Sequence, residues 1–247
     1  MKRIVALVTG SNRGIGASCI EEFAKCGVTV VINYLHHEEE AKALEKEIKE
    51  KYKVDVLSIC CDVSKEEDVE AMVNKIVDQF GGIDILVNNA GVCRDSLLMD
   101  KNIKEFKRIL DVNVIGTYLC SKYVGRVMMN QKKGKIINIS STNAIDTYYP
   151  ESCDYDASKA GVISLTHNFA REFAPFIQVN CVCPGWVKTS MTKGLSIEQI
   201  KEEKKKILLG RFAEVEDISR VVVFLSSSKA DYINDTVIRV DGGKYNG

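Results

Sequence analysis

Neither sign of charge is in excess in this 247-residue chain, no long hydrophobic run occurs, and only three histidines are present. Lys plus Arg and Asp plus Glu both number 34, so there is no basic surplus to neutralise a phosphate backbone or hold an anionic lipid surface. Nucleic acid and membrane are therefore not expected as partners. After Met1-Lys2-Arg3, the apolar run 4–8 stops at Thr9-Gly10, too short for a secretory signal or a membrane span. His36, His37 and His167 fall at no metal-ligand spacing with the cysteines, and no metal site is expected. Repeats, low-complexity tracts and linker-like interruptions are missing too, so residues 1–247 should form one domain.

What is present is an ordinary globular balance, 45% hydrophobic and 28% charged, with enough apolar surface to offset chain entropy. The nine cysteines sit mostly inside apolar runs, such as Ile59-Cys60-Cys61 and Asn180-Cys181-Val182-Cys183. That placement points to reduced core thiols of a cytoplasmic protein rather than a disulfide framework. Strands are expected at 4–9, 29–34, 54–60, 83–88, 135–140, 177–183 and 236–240. Between them, apolar residues recur at three- and four-residue spacing, as in Ala41, Leu44, Ile48 and Val69, Met72, Val73, Ile76. Near-continuous Val, Ile and Leu runs suit a parallel sheet buried on both faces. The pattern predicts an α/β, doubly wound, Rossmann-type sheet of about seven parallel strands with helices on both faces. Ser64 three residues ahead of Glu67 reads as a capping box. The stretch 185–210 is too long for a strand-to-helix loop; it carries a Lys- and Glu-rich helix at 196–208 and suggests a lid at about 186–210.

Strand one runs into Thr9-Gly10-Ser11-Asn12-Arg13-Gly14-Ile15-Gly16 and then a helix. Glycines there let the backbone turn tightly and approach a ligand, and a helix N-terminus offers free N–H groups to a pyrophosphate. The Gly-x-x-x-Gly-x-Gly spacing resembles that of the short-chain dehydrogenase/reductase family. Other landmarks follow in order over almost the whole chain: Asn88-Asn89-Ala90-Gly91, Asn113, Ser140-Ser141, Tyr155-x-x-x-Lys159, Pro184-Gly185 and Asp241-Gly242-Gly243. Each lies at the carboxyl end of a strand or in a following helix, where open α/β sheets bind ligands.

The resemblance implies an NAD(P)-dependent oxidoreductase moving a hydride between a nicotinamide and a ketone or secondary alcohol. Tyr155 and Lys159 are four apart and share a helix face, so the ammonium together with a cationic nicotinamide is expected to stabilise a phenolate that ordinarily forms near ~10. Family likeness assigns the proton to Tyr155, the substrate oxygen to Ser141, a relay water to Asn113, and the nicotinamide ribose to Lys159. Ser140 and Thr142 remain alternatives to Ser141, and the segment 143–154 should bulge beside it. The same likeness places the cofactor along Gly10, Ser11, Asn12, Arg13, Gly14, Ile15, Gly16, Asn33, Leu35, Asp62, Val63, Asn89, Ala90, Gly91, Pro184, Gly185, Val187 and Thr189. Strand two ends in Asn33-Tyr34-Leu35 with no acid to repel a ribose phosphate, and Arg13 precedes Gly14, which favours NADP(H), with NAD(H) possible.

Residues 91–99 are similar to the equivalent stretch of 3-oxoacyl-acyl-carrier-protein reductases. A ketoacyl substrate follows from that likeness, with a hydroxysteroid, a sugar derivative or a ketoacyl-CoA as alternatives. A non-catalytic dinucleotide-binding regulator would be expected to lose Tyr155 or Lys159, and both are kept. The long helices at 102–130 and 155–174 resemble those of the family's homotetramer interface. Trp186, Val187 and Met191 of the lid are expected against substrate.

Overall fold

The computed structural model describes residues 3–192 and 194–243. Seven strands, β1 (Val5–Val8), β2 (Thr29–Tyr34), β3 (Val56–Cys60), β4 (Ile85–Asn88), β5 (Gly134–Ile139), β6 (Ile177–Pro184) and β7 (Val237–Val240), form one parallel sheet. Their order is β3-β2-β1-β4-β5-β6-β7. The chain therefore winds outward one way from β1 and then the other way from β4. Loops leaving the carboxyl ends of β1 and β4 part at that junction and open a crevice.

All six residues of β2 and of β5 are buried, as a strand covered on both sides requires. Alternation then sorts side chains to two layers. Ala6 and Val8 face α1 (Gly14–Lys25), α2 (Glu38–Tyr52) and α8 (Val215–Ser226), meeting Phe23, Ile48 and Val222. Val5 and Leu7 face α3 (Glu66–Phe80), α5 (Gly116–Gln131) and α6 (Cys153–Glu172), meeting Met72, Val124 and Ala170. Each such interior Val, Leu, Ile, Phe or Met contributes about 1.5–3 kcal/mol by leaving water.

Two local expectations are corrected. α3 starts at Glu66 without a side-chain cap, because the Ser64 hydroxyl donates instead to Asp62 Oδ1 at 2.6 Å. The helix expected at 102–130 is α4 (Ile103–Leu110) and α5 joined by a π turn at Asp111–Ile115. One inserted residue there rotates the apolar stripe, and Asn113 sits in it.

Among the described residues, no helix is long and apolar enough to cross a membrane. The excursion after β6 carries α7 (Ile197–Lys205), which Ser196 opens with the capping box that Ser64 lacks. Beyond it, Leu208 and Leu209 N–H groups bond the carbonyls of Gly243 and Gly242.

Candidate active site

The loop after β1 is shaped by close approach. Gly10 has φ +59°, and a Cβ there would lie 2.9 Å from Ala90 Cα. At Gly16 a Cβ would come within 2.6 Å of Asn89 Nδ2 and 2.7 Å of the Gly10 carbonyl, so any larger residue pushes α1 off the loop. Thr9 Oγ1 accepts the Asn89 and Ala90 N–H groups at 3.0 Å each, and Asn89 Nδ2 donates to the Thr9 and Gly10 carbonyls at 2.9 Å each. Asn33 Oδ1 accepts the Gly10 N–H at 3.0 Å while its Nδ2 donates to the Cys61 carbonyl at 3.1 Å. Ser11 Oγ donates to the Val8 carbonyl at 2.7 Å. Ser11 and Asn33 are thus buried beneath the loop and hold its shape from below.

α1 begins with no side-chain cap and no acidic residue in its first turn, whereas α2 and α3 each begin with three acids. Its positive end is left for a ligand anion. A cleft of about 630 Å³ lies against it, lined by Asn12, Arg13, Gly14, Glu40, Lys188 and Thr189 among others. Arg13 is exposed, and its guanidinium has no bond to any described residue. Glu40 shares the cleft and accepts from Asn12 Nδ2 at 2.9 Å. A glycine cradle, an uncapped helix end and a free guanidinium fit the phosphates of a dinucleotide. Farther along the edge, Asp62 accepts from Ser64 and Arg108. Partial burial works against its charge, but those bonds outweigh it and hold the carboxyl below its ordinary range. Leu35 is exposed beside this edge, Ile15 packs partly into the core, and Val63 is buried.

The second half of the site lies over β4, β5 and β6. Lys159 Nζ, buried, donates to the Ile139 carbonyl at 2.9 Å and stands 5.6 Å from the centre of the Tyr155 ring. A Cβ on Gly91 would be 3.4 Å from both Lys159 Nζ and Asn113 Oδ1, so those three positions converge. Asn113 accepts the Val92 N–H at 2.8 Å and donates to the Val92 carbonyl at 3.0 Å and Ser158 Oγ at 2.9 Å. Its amide fastens the loop after β4 onto α6. Ser140 Oγ donates to the Lys159 carbonyl at 2.8 Å and is turned away from the cleft, whereas the Ser141 hydroxyl lies beside the Tyr155 phenol. Ser141 Oγ also accepts the Asn143 N–H at 3.2 Å. Pro184 ends β6 and Gly185 follows it, and Thr189 donates its N–H to Thr192 Oγ1 at 3.1 Å.

Burial is the first influence on the titration of Tyr155 and Lys159. Burial, then the nearby Cys93 thiol, push the Tyr155 phenol up from its ordinary value, and the Ser141 hydroxyl offsets this only in part. Burial in turn lowers Lys159 to about 8. The chain's own groups therefore keep the phenol protonated and bring the titration of the lysine down toward the physiological range. Val187, expected against substrate, is buried in the core, its backbone paired with Ala213. The Met191 side chain lies outside the described residues.

Several participants carry no signal in the sequence. Glu40 and Lys188 reach the phosphate cleft from remote elements, Ser158 ties Asn113 to α6, and Cys93 approaches Tyr155. Lys101 forms an ion pair at 2.9 Å with Asp154, the residue before Tyr155, and both side chains are almost wholly buried. Spacing marks the glycines of the first loop and the i to i+4 pair Tyr155 and Lys159, and none of these.

A dinucleotide cradle and a Tyr-Lys-Ser cluster at one carboxyl edge of a doubly wound sheet define a nicotinamide-dependent oxidoreductase. A family model described as enoyl-(acyl carrier protein) reductase matches residues 10–245. The chain is 43% identical over 242 residues to 3-oxoacyl-acyl-carrier-protein reductase FabG of Staphylococcus aureus, covering 97% of each. Among solved structures it matches a variant of a short-chain dehydrogenase/reductase from Serratia marcescens, with TM-score 0.91, 32% identity and 97% of each chain covered. It also matches a gluconate 5-dehydrogenase from Burkholderia cenocepacia in complex with NADP and tartrate, with TM-score 0.93, 30% identity, 98% of this chain and 95% of that one. The protein belongs to the short-chain dehydrogenase/reductase family.

Proposed function

We propose that the protein reduces the ketone of a 3-oxoacyl thioester with NADPH, Tyr155 donating the proton. The observation that carries this is the Ser141 and Tyr155 hydroxyl pair set over buried Lys159 at the carboxyl edge of the sheet. Bound nicotinamide supplies the hydride. Ser141 holds the carbonyl oxygen, and Tyr155 gives it a proton as negative charge develops there. A phenol pushed upward keeps its proton at neutral pH, so Tyr155 enters the reduction as the protonated form a donor requires. Lys159, at about 8, would hold the nicotinamide ribose and return a proton to Tyr155 through a relay water, while Asn113 secures the loop after β4 beside it.

Asp62, Val63 and Leu35 would frame the adenine end, and Asn89, Ala90 and Gly91 the ribose. Pro184, Gly185, Val187 and Thr189 would frame the nicotinamide half. Arg13, with Lys188 across the cleft, favours NADP(H); Glu40 in the same cleft keeps NAD(H) usable. A lid at about 186–210 would shut water from hydride transfer. Exposed Ile115 and Tyr118, with Phe169 stacked 6.4 Å from Tyr118, suit a homotetramer face, and nine unpaired cysteines suit a cytoplasmic setting. A free or CoA-linked ketone is the second reading, because 174–177, Ala-Pro-Phe-Ile, carry no charge to meet an acidic carrier protein. Cofactor oxidation should be assayed with 3-oxoacyl groups on carrier protein, on CoA and on a short thiol, and with cyclic ketones. NADPH oxidation by a 3-oxoacyl thioester supports the proposal, and none with any ketone overturns it.

A further inference from the structure

The segment 143–154 beside Ser141 and the helix of the excursion after β6 meet at one side chain. Glu203 on α7 accepts the Tyr149 hydroxyl at 2.9 Å and the Trp186 indole N–H at 3.0 Å, both on Oε2. Its Oε1 accepts Lys206 Nζ at 2.7 Å. Tyr149 and Trp186 meet edge to face with centroids 5.9 Å apart, and Trp186 stacks on Phe212 at 5.5 Å. The Glu203 side chain is 15% exposed, although α7 has no buried residue at all. Among the described residues, the other side-chain hydrogen bonds on α7 stay within the helix and its caps, so Glu203 is its polar tie to the rest of the fold. Charge-assisted bonds to two aromatic donors in a half-dry setting are strong and directional.

A hydrogen-bonded chain runs from this point to the reacting centre. Ser152 donates its N–H to the Tyr149 carbonyl at 3.0 Å and its hydroxyl to Asp156 Oδ1 at 3.0 Å. Asn143 Nδ2 donates to the same Asp156 oxygen at 2.7 Å, and the Asn143 N–H donates to Ser141 Oγ at 3.2 Å. These bonds connect the Tyr149 backbone to the hydroxyl beside Tyr155. Burial first, then the Glu203 carboxylate, push the Tyr149 phenol up to about 12, so it remains a donor across the physiological range.

We propose that Glu203 is a positioning residue that holds Tyr149 and Trp186 as one aromatic wall beside Ser141 and Tyr155, and so sets which ketones are turned over. The inference rests on the reductase reading and deepens it. With their polar atoms tied to Glu203, the two rings leave an apolar face, suited to a ketone bearing an apolar chain or ring rather than a polyhydroxylated one. Discrimination arises because only contacts that differ between substrates change their relative rates.

Trp186 is the only tryptophan, so its emission reports on the wall directly. Glu203→Ala should shift that emission and make it at least about twofold easier to quench with acrylamide. Its kcat/KM should fall about 10-fold for long-chain ketones and less than about threefold for the smallest, with NADPH affinity within about twofold. Glu203→Gln, whose amide oxygen still accepts both donors, should restore emission and ranking. Tyr149→Phe, which loses one hydroxyl and keeps the ring, should move both partway, and Glu202→Gln, whose partner is Lys205 on the same helix, should change neither. A uniform loss across the panel in Glu203→Ala, or unchanged emission in both Glu203→Ala and Tyr149→Phe, overturns the proposal. If the wild type turns over no ketone, the reductase reading fails with the specificity claim; the emission arm still decides whether Glu203 holds the wall.

Discussion

Replacing Lys159 by Met should destroy turnover and yet stabilise the protein. The lysine is 4% exposed, its one described hydrogen bond goes to the Ile139 carbonyl, and burial lowers it from its ordinary 10.5 to about 8. Below pH 8 the folded state must carry a poorly solvated charge. At about 1.36 kcal/mol per decade of proton affinity, that costs roughly 3 kcal/mol of stability. Met fills similar space without charge. Subtracting about 1 kcal/mol for the lost bond to Ile139 leaves a net gain of about 2 kcal/mol, or about 4–8 °C in Tm for a chain of this size. The sign with pH follows from linkage. Between about 8 and 10.5 the unfolded lysine keeps a proton that the folded one has released, so wild-type stability contributed by this group rises with pH. The Met variant's advantage should be full at pH 7 and should shrink toward pH 10.5. Thermal unfolding of both proteins at matched concentration across pH 6–10, with turnover beside it, is the assay. A variant that is less stable at pH 7, or an advantage that does not change with pH, would refute the reasoning.

Arg13→Ala should weaken NADPH by about 1.5–3 kcal/mol and NADH by far less, measured by titration of each cofactor; equal losses would remove Arg13 from the phosphate site. Lys101→Met leaves the Asp154 carboxylate buried without its cation and should cost about 3–5 kcal/mol in denaturant unfolding. The double variant Lys101→Met with Asp154→Asn should recover most of that loss. Gly16→Ala should depress affinity for both cofactors alike, since its Cβ drives α1 away from Asn89 and the Gly10 carbonyl; calorimetry that shows unchanged binding would contradict the close-packing account.

The strands were legible because a parallel strand buried on both faces has little freedom of composition: Thr29-Val30-Val31-Ile32-Asn33-Tyr34 is all interior and reads as such. The glycine loop was legible for the opposite reason, since backbone approach at Gly10 and Gly16 admits nothing larger. The π turn at Asn113 was hidden because one inserted residue blurs helical periodicity without breaking it. Ser64 misled because its hydroxyl had a closer acceptor in Asp62 than the helix start offered. Val187 looked like a lid residue until its backbone paired with Ala213 and drew it into the core. Glu40, Lys188 and Glu203 act across long sequence separations, and nothing in local spacing marks such partners. Tyr155 and Lys159 are visible as a pair four residues apart, but the burial that comes first in their titration is set by the tertiary fold and not by that spacing.

The central claim, that Tyr155 gives the proton in a nicotinamide-dependent ketone reduction, is tested most directly by single-turnover hydride transfer in Tyr155→Phe. This variant keeps the ring and removes the hydroxyl. Cofactor affinity should stay within about twofold of wild type while hydride transfer to the ketone slows by at least about 100-fold. Transfer at a near wild-type rate, with cofactor and ketone bound as before, would show that another group supplies the proton.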